Sequence, residues 1–337
     1  MGDTISFGQI SQRVGIQAVA RLLANNYGMR HTARFGMAEK AKRNAGDTIK
    51  WRRYLPFPVN KAPLVEGIPP SAIPLTWVDY TAILQEYGAV SVLTKKAKDL
   101  HEDDLFRVAI DNHGELMGET LEVITWDVLT ACTNKFYASS VANRAAIVNA
   151  VSHSDFALVE RALNRANAKR ITQIVGPTTS VSTRGVKPCF IALCHTDLEH
   201  DIAAVKGYVP YVEYGTPGSK LEGELGAVGA FRVVTSTLYS PLAASGTSTT
   251  DMLTNGAAGT GACDVYQIVC LARDAYGTVK LQGEEDVGLK VIQPEQLDSG
   301  NRLGQKGSVG WLVRYAAAIV NMQWIAVLEC ACRSTPL

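Results

Sequence analysis

The sequence predicts an α+β chain with three distinct parts: a projecting two-stranded finger, one long helix, and a compact α/β segment. Three observations carry this. Two runs rich in β-branched and aromatic residues, 47–55 and 75–85, flank a link that holds six of the chain's thirteen prolines. Apolar residues recur at helical spacing from 99 to about 133. Short apolar runs then alternate with turn signals and a capped helix from 188 to 272.

Composition sets the outer bounds. A chain of 337 residues suffices for about two domains with a sizeable core, and 47% hydrophobic content is that of a globular protein. A net charge of +1 supplies no global field toward nucleic acid or membrane. No apolar run approaches the roughly 18 residues of a membrane span. Residues 1–15 lack the apolar region of a secretory signal, and the match of Gly2 and Ser6 to a myristoylation pattern is read as chance. Seven cysteines, with no Cys-x-x-Cys pair, are expected to be buried free thiols. Cys330 and Cys332, two apart, should share one strand face.

In chain order, residues 6–26 place Ile10, Val14, Ala18 and Leu22 on one face of an amphipathic helix. Up to Arg53 there are ten Lys/Arg against Asp3, Glu39 and Asp47. The cations are neither dense nor interleaved with aromatics, so an arm that pairs with an acidic protein surface fits better than a nucleic-acid arm. The finger follows. Proline fixes φ and offers no N–H, so the 56–74 link is stiff, extended and outside any ladder. Two strands of this length span roughly 30 Å and are not stable alone in water. The finger must therefore lie against something. A lid over its own domain is one reading; an arm over a neighbouring copy of the chain is the sharper one. Its contact candidates are Arg52, Arg53, Tyr54, Pro56, Pro58, Leu64, Glu66, Pro69 and Pro70.

Asp99 and Glu102 resemble a capping box, and Glu102, Asp103 and Asp104 suit a helix N-terminus. A helix from there to about 133 would be roughly 50 Å long. Leu105, Ala109, Leu116, Met117, Leu121, Ile124 and Val128 form its apolar face, and Asp104, Asp111, Glu115, Glu119 and Glu122 an acidic stripe. Gly114 and Gly118 each cost about 1 kcal/mol in a helix, which implies close approach of another backbone. The stripe has no accompanying Glu-x-x-His pair, so it is expected to meet basic residues of an arm rather than a metal. Asp111, Glu115, Glu119 and Glu122 are the contact candidates here.

Ser154 or Asp155 should cap a helix over 156–169, with Arg161, Arg165, Lys169 and Arg170 toward its C-terminal end. Residues 175–186 read as a linker, 188–193 as a buried strand, and Thr196 with Glu199 as a capping box for a helix to about 206. Residues 223–229 read as a loop, 231–235 as a strand, 242–263 as a flexible surface loop, and 265–272 as a buried strand. Strands over 287–293, 309–320 and 323–332 end the chain.

These residues resemble a known family. Gly46-Asp-Thr-Ile-Lys-Trp-Arg-Arg-Tyr-Leu-Pro, then Pro63-Leu-Val-Glu-Gly-Ile-Pro-Pro, then Gln85-Glu-Tyr-Gly-Ala are similar to the extended loop of tailed-bacteriophage major capsid proteins of the Hong Kong 97 fold, closest to the N-four-like branch. Gly118-Glu-Thr-Leu-Glu to Asp127-Val-Leu resembles the spine helix of that family. Ala166-Asn-Ala-Lys, Cys194-His-Thr-Asp, Gly223-Glu-Leu-Gly, Ala275-Tyr-Gly, Val309-Gly-Trp and Val320-Asn-Met-Gln-Trp-Ile continue the match in order. The family often has His-Pro where this chain has His195-Thr196, and 242–263 is not distinctive of it.

The resemblance implies a Hong Kong 97-type fold: an N-terminal arm (1–45), the extended loop (46–95), a peripheral domain with the spine helix (96–184), an axial domain (185–275), and C-terminal strands returning to the peripheral domain (276–337). It implies hexamers and pentamers that close an icosahedral shell around phage DNA. It also implies a separate scaffolding protein, a portal and a decoration protein as partners, with no cofactor and no sequence-specific DNA contact. A nanocompartment shell of the same fold is the alternative. Enzyme readings are weaker. Ser152, His153 and Asp155 lack a Gly-x-Ser-x-Gly elbow, Gly256 to Gly261 lacks the Lys-Ser/Thr of a P-loop, and His195 and His200 do not share a helix face.

Overall fold

The computed structural model of the chain describes residues 4–5, 30–44, 46–61, 63, 66–67, 71–101, 104–175, 183–213, 221, 223–258, 261–282, 289–297 and 300–335. The expected helix over 6–26 lies outside them.

The chain begins with β1 (Thr4–Ile5), β2 (Met37–Ala41), the finger strands β3 (Thr48–Tyr54) and β4 (Trp77–Ile83), and β5 (Gln85–Thr94). Helices α1 (Lys95–Leu100) and α2 (Leu105–Thr130) follow, then β6 (Lys135–Tyr137), α3 (His153–Arg165), β7 (Ile171–Val175) and β8 (Thr183–Cys194). Next come α4 (Glu199–Ala203), β9 (Tyr208–Pro210), β10 (Glu224–Val228) and β11 (Phe231–Thr235). Four two-residue strands, β12 (Ser248–Thr249), β13 (Leu253–Thr254), β14 (Ala257–Ala258) and β15 (Gly261–Ala262), precede β16 (Tyr266–Leu271), β17 (Tyr276–Leu281), β18 (Leu289–Ile292), β19 (Lys306–Ile319) and β20 (Ile325–Cys330).

Two sheets organise the molecule. The first runs β1-β5-β19-β17-β2, with β18 also on β19. Its backbone is the antiparallel β5–β19 ladder, from Gln85 opposite Tyr315 to Thr94 opposite Lys306. The second runs β6-β20-β16-β8-β11-β10-β9, with β7 on β8. Its inner strands β11, β16 and β20 are buried at every residue. A strand covered on both faces reads as a continuous apolar run, which is why these were visible in the sequence. On one face α3 packs Phe156, Val159 and Leu163 against Phe190, Phe231, Ile268 and Leu328. On the other, Trp126 and Leu129 of α2 pack against Ile191, Leu193, Val269 and Val327. The rest of α2 lies on the first sheet, with Leu121 against Trp311, Val313 and Tyr315, and Phe106 against Leu93 and Val309. One helix thus ties the two sheets together.

Several expectations are corrected. The helix expected from Asp99 is two helices. Thr94 caps α1 by accepting from Ala97 N at 3.2 Å, and Asp104 caps α2 by accepting from Arg107 N at 3.2 Å. The 26 residues of α2 span about 39 Å, not 50. Helix α3 starts after Ser152, whose N–H donates to Asp155 Oδ2 at 2.9 Å, and ends at Arg165. Glu199 does not close a capping box with Thr196; its Oε1 accepts from the Thr235 hydroxyl at 2.7 Å. The expected loop at 223–229 contains β10, because Gly226 lets the backbone pass Val209 and Tyr208 too closely for a Cβ.

The 242–263 stretch is built rather than loose. Strands β12 and β15 pair, β13 and β14 pair, and Met252 and Cys263 join Ile147, Val265 and Ala331 in a small core. The presumed 175–186 linker includes the end of β7 and the start of β8. The last strand, β20, does not return to the sheet of the long helix's N-terminal half; it pairs with β16 and β6 in the second sheet. All seven cysteines are buried, with Cys330 and Cys332 in one cluster. Burial pushes their thiols up, that of Cys189 to about 11, so they fill space as neutral groups.

Candidate functional site

The finger forms as read. Strands β3 and β4 pair antiparallel from Thr48–Ile83 to Tyr54–Trp77, and Leu55 N donates to Thr76 O beyond them. Period-two geometry separates its faces. Ile49, Trp51, Arg53, Val78, Tyr80 and Ala82 form the partly covered face. Trp51 is the anchor. Its ring lies over Gly277 of β17, where a Cβ would sit 2.8 Å from Cζ2, so only glycine leaves room for it. The base of β4 also lies against β19.

The opposite face carries Lys50, Arg52, Tyr54, Trp77, Asp79, Thr81 and Ile83. Tyr54, Trp77 and Ile83 are 56%, 51% and 59% exposed there. Arg52 clasps Asp79 with Nε–Oδ1 at 2.8 Å and Nη2–Oδ2 at 3.0 Å, and Lys50 Nζ is 3.6 Å from the same carboxylate. The hydrogen bond from Arg52 holds the Asp79 carboxyl below the usual carboxylate range and raises the guanidinium in turn. Arg52 also lies over the Trp77 ring at 5.1 Å, Tyr54 meets that ring edge-on at 6.5 Å, and Arg53 sits over Tyr80 at 5.5 Å. The arginines therefore stiffen the finger from within. Toward the tip, Pro56, Phe57, Pro58, Val59 and Glu66 are exposed. Leu64, Pro69 and Pro70 lie outside the described residues.

The helix candidates separate into different environments. Asp111 is exposed. Glu115 pairs with Arg30 of its own chain at 3.2 Å. Glu119 is half-buried. Glu122 is only 3% exposed and is corrected here: it is a structural carboxylate, not an accessible contact. It accepts from His31 N at 2.8 Å, Thr32 N at 2.9 Å, Thr32 Oγ1 at 2.6 Å and the Tyr239 hydroxyl at 2.7 Å. Tyr239 stacks on Trp126, and the Tyr276 hydroxyl donates to Thr32 O. This cluster seats the root of the N-terminal segment between the sheets. The glycine expectation is also corrected. Gly118 accommodates the Arg30 side chain rather than a backbone, and Gly114 has nothing within 4 Å. The finger and the helix stripe are thus separate surfaces of one chain; Asp79, Trp51 and Arg30 are contributors that residue spacing alone did not single out.

Asp155 and Gly256 make local structural bonds. Asp155 takes Ser152 Oγ at 2.6 Å and Ser139 N at 2.9 Å while capping α3. Gly256 N donates to Asp264 Oδ2 at 2.7 Å within the small ladders.

No curated protein matches the sequence. Among solved structures, the capsid of Ralstonia phage GP4 superposes with TM-score 0.68 at 13% identity, covering 98% of each chain. The capsid of cyanophage P-SCSP1u gives 0.61 at 12% identity, over 95% of this chain and 94% of that one. The head of Helicobacter pylori bacteriophage KHP40 gives 0.58 at 12% identity, over 88% and 87%. At such identities the likeness concerns the fold, an α+β fold of Hong Kong 97 type. A family model described as phage capsid protein matches residues 79–329, well over half of the sequence, and the chain belongs to that family.

Proposed function

We propose that this chain is the major capsid protein of a tailed phage of the N-four-like branch. Copies assemble into hexamers and pentamers of an icosahedral shell enclosing double-stranded DNA. In this reading the β3–β4 finger is the extended loop, α2 the spine helix, the first sheet the centre of the peripheral domain and the second sheet that of the axial domain. The subunit acts by association, not catalysis. A separate scaffolding protein, a portal and a decoration protein are its other partners. Assembly takes place in the host cytoplasm and the product is the virion.

One observation carries the reading. The finger is anchored at its base by Trp51, yet its outer face and tip leave Tyr54, Phe57, Trp77 and Ile83 exposed. A stiff projection with a large apolar face has its energetic complement on another molecule. A contact between two different surfaces of identical chains is heterologous, and with rotation it closes into rings. The test is removal of residues 61–71, followed by electron microscopy of the purified protein. The deletion should yield folded subunits that form no closed particles; normal particles would overturn the role of the tip.

A further inference from the structure

We infer that the outer side of α3 and the turn before β17 form a contact surface for the phosphate backbone of the enclosed nucleic acid. This rests on the shell reading above and adds residues to it.

Helix α3 buries Phe156, Val159 and Leu163, which turns Ala157, Glu160, Arg161, Asn164 and Arg165 outward. These five line an open concavity of about 450 Å³. Lys169 follows, exposed, just past the helix end. The backbone of Arg273 is brought beside Lys169 from a hundred residues away, its backbone N–H donating to Lys169 O at 2.9 Å. Arg170 is diverted, bonding Glu160 Oε1 at 3.0 Å and lying over the Phe190 ring at 5.3 Å. Arg273 is near Asp274, with Nε–Oδ2 at 3.3 Å. Arg161, Arg165 and Lys169 have no ion-pair partner among the described residues. In a chain of net charge +1, this is a local concentration of cations.

The helix dipole does not account for the set. It favours cations within the last turn. Arg165 lies there, but Arg161 is a turn earlier and Lys169 and Arg273 lie beyond the end. The concavity also lacks what a protein partner would use. Protein interfaces are anchored by aromatic or large apolar side chains in pockets, and among the described residues Ala157 is the only apolar one lining this concavity. Arginine forks match phosphate geometry, and residues four apart on a helix stand about 5–6 Å apart, in a row along one side. Contacts to phosphates carry no sequence information, as a packaged genome requires.

The test uses full-length protein and a short duplex DNA, with binding followed by fluorescence anisotropy between about 50 and 200 mM salt. Replacing Arg161, Arg165 and Lys169 together by Gln should weaken binding at least about tenfold at low salt and flatten the log–log salt slope by about 2–3. Arg161→Lys with Arg165→Lys keeps the charges and should keep the slope; thermal melts of both variants check folding. Duplex binding by the triple variant equal to wild type, or no binding by wild type, overturns the inference. So does binding of labelled polyglutamate to the wild type that is lost in the triple variant and is not competed by unlabelled duplex, which would assign the surface to an acidic protein. Particle formation, scored separately by microscopy, reports on the shell reading: wild type without particles sinks that reading, whereas particles from the triple variant with DNA binding lost are the result expected here.

Discussion

Strands β4 and β16 are alike as sequences, Trp-Val-Asp-Tyr-Thr-Ala-Ile against Tyr-Gln-Ile-Val-Cys-Leu, and opposite in surroundings. Strand β16 has β20 and β8 beside it and side chains of α3 and α2 packed on its two faces; all six of its residues are buried. Strand β4 has one neighbour, β3, and support on one face only, so its Trp77 and Ile83 stay exposed. Strand-forming composition thus sets local conformation, while the number of packed neighbours sets burial. The second sheet buries its apolar surface inside the subunit; the finger leaves Tyr54, Trp77 and Ile83 exposed.

That contrast can be broken first where burial is complete. Glu224 and Arg232 pair across β10 and β11, with side chains 0% and 7% exposed. Arg232→Ala removes the guanidinium from a buried carboxylate, leaving the Leu221 N–H donor at 2.8 Å, and should cost about 3–5 kcal/mol in urea unfolding. A loss below about 1 kcal/mol would mean that water reaches the pair. At the finger's base, Trp51→Ala should cost about 1–2 kcal/mol, since the ring is only half-buried. Hydrogen exchange of β3 and β4 should speed up while β16 is unchanged; equal acceleration in both would show that the two regions unfold as one.

A pH series sharpens the comparison further. Burial raises the Glu329 carboxyl, but hydrogen bonds from Arg144 and Gln267 and the charge of Lys135 outweigh it, and the net shift is downward from 4.5. A carboxylate depressed in the folded state stabilises fully above its ordinary value, and that contribution is lost as pH falls through the folded one. The gap in melting temperature between wild type and Glu329→Gln should therefore be widest near neutrality and shrink on acidification below about pH 4.5; a constant gap would contradict the assignment. The smallest effect on the subunit belongs to the tip. Phe57→Ser should change subunit stability by under about 0.5 kcal/mol yet reduce particle yield, and an unchanged yield would show that Phe57 faces solvent in the shell as well.

The legible parts of the fold share a property. The finger, the core strands β11, β16 and β20, and most of α2 announce themselves through periodicity or composition within a few residues of themselves. What was missed depends on distant partners. Strands β2 and β17 pair in parallel across more than two hundred residues, Met37 opposite Gly277, and neither has a strong strand pattern. Strand β10 required Gly226 to be seen against Tyr208 rather than as a turn residue. The break before α2 turned on which of several adjacent acids caps the helix.

Residue order along the chain was enough to establish the hairpin with its proline-rich tip, the helix with acids at regular spacing, and the alternation that builds an α+β domain, because rotation per residue is a local property. It could not separate Glu122 from Glu115. Both lie on one helix at the same kind of interval, but His31 and Thr32 reach the first and bury it, while Arg30 meets the second at the surface. Nor could it say that Gly277 exists to receive Trp51, or that Arg273 would stand beside Lys169. Those outcomes belong to tertiary structure, because a side chain's environment depends on which remote segments pack against it.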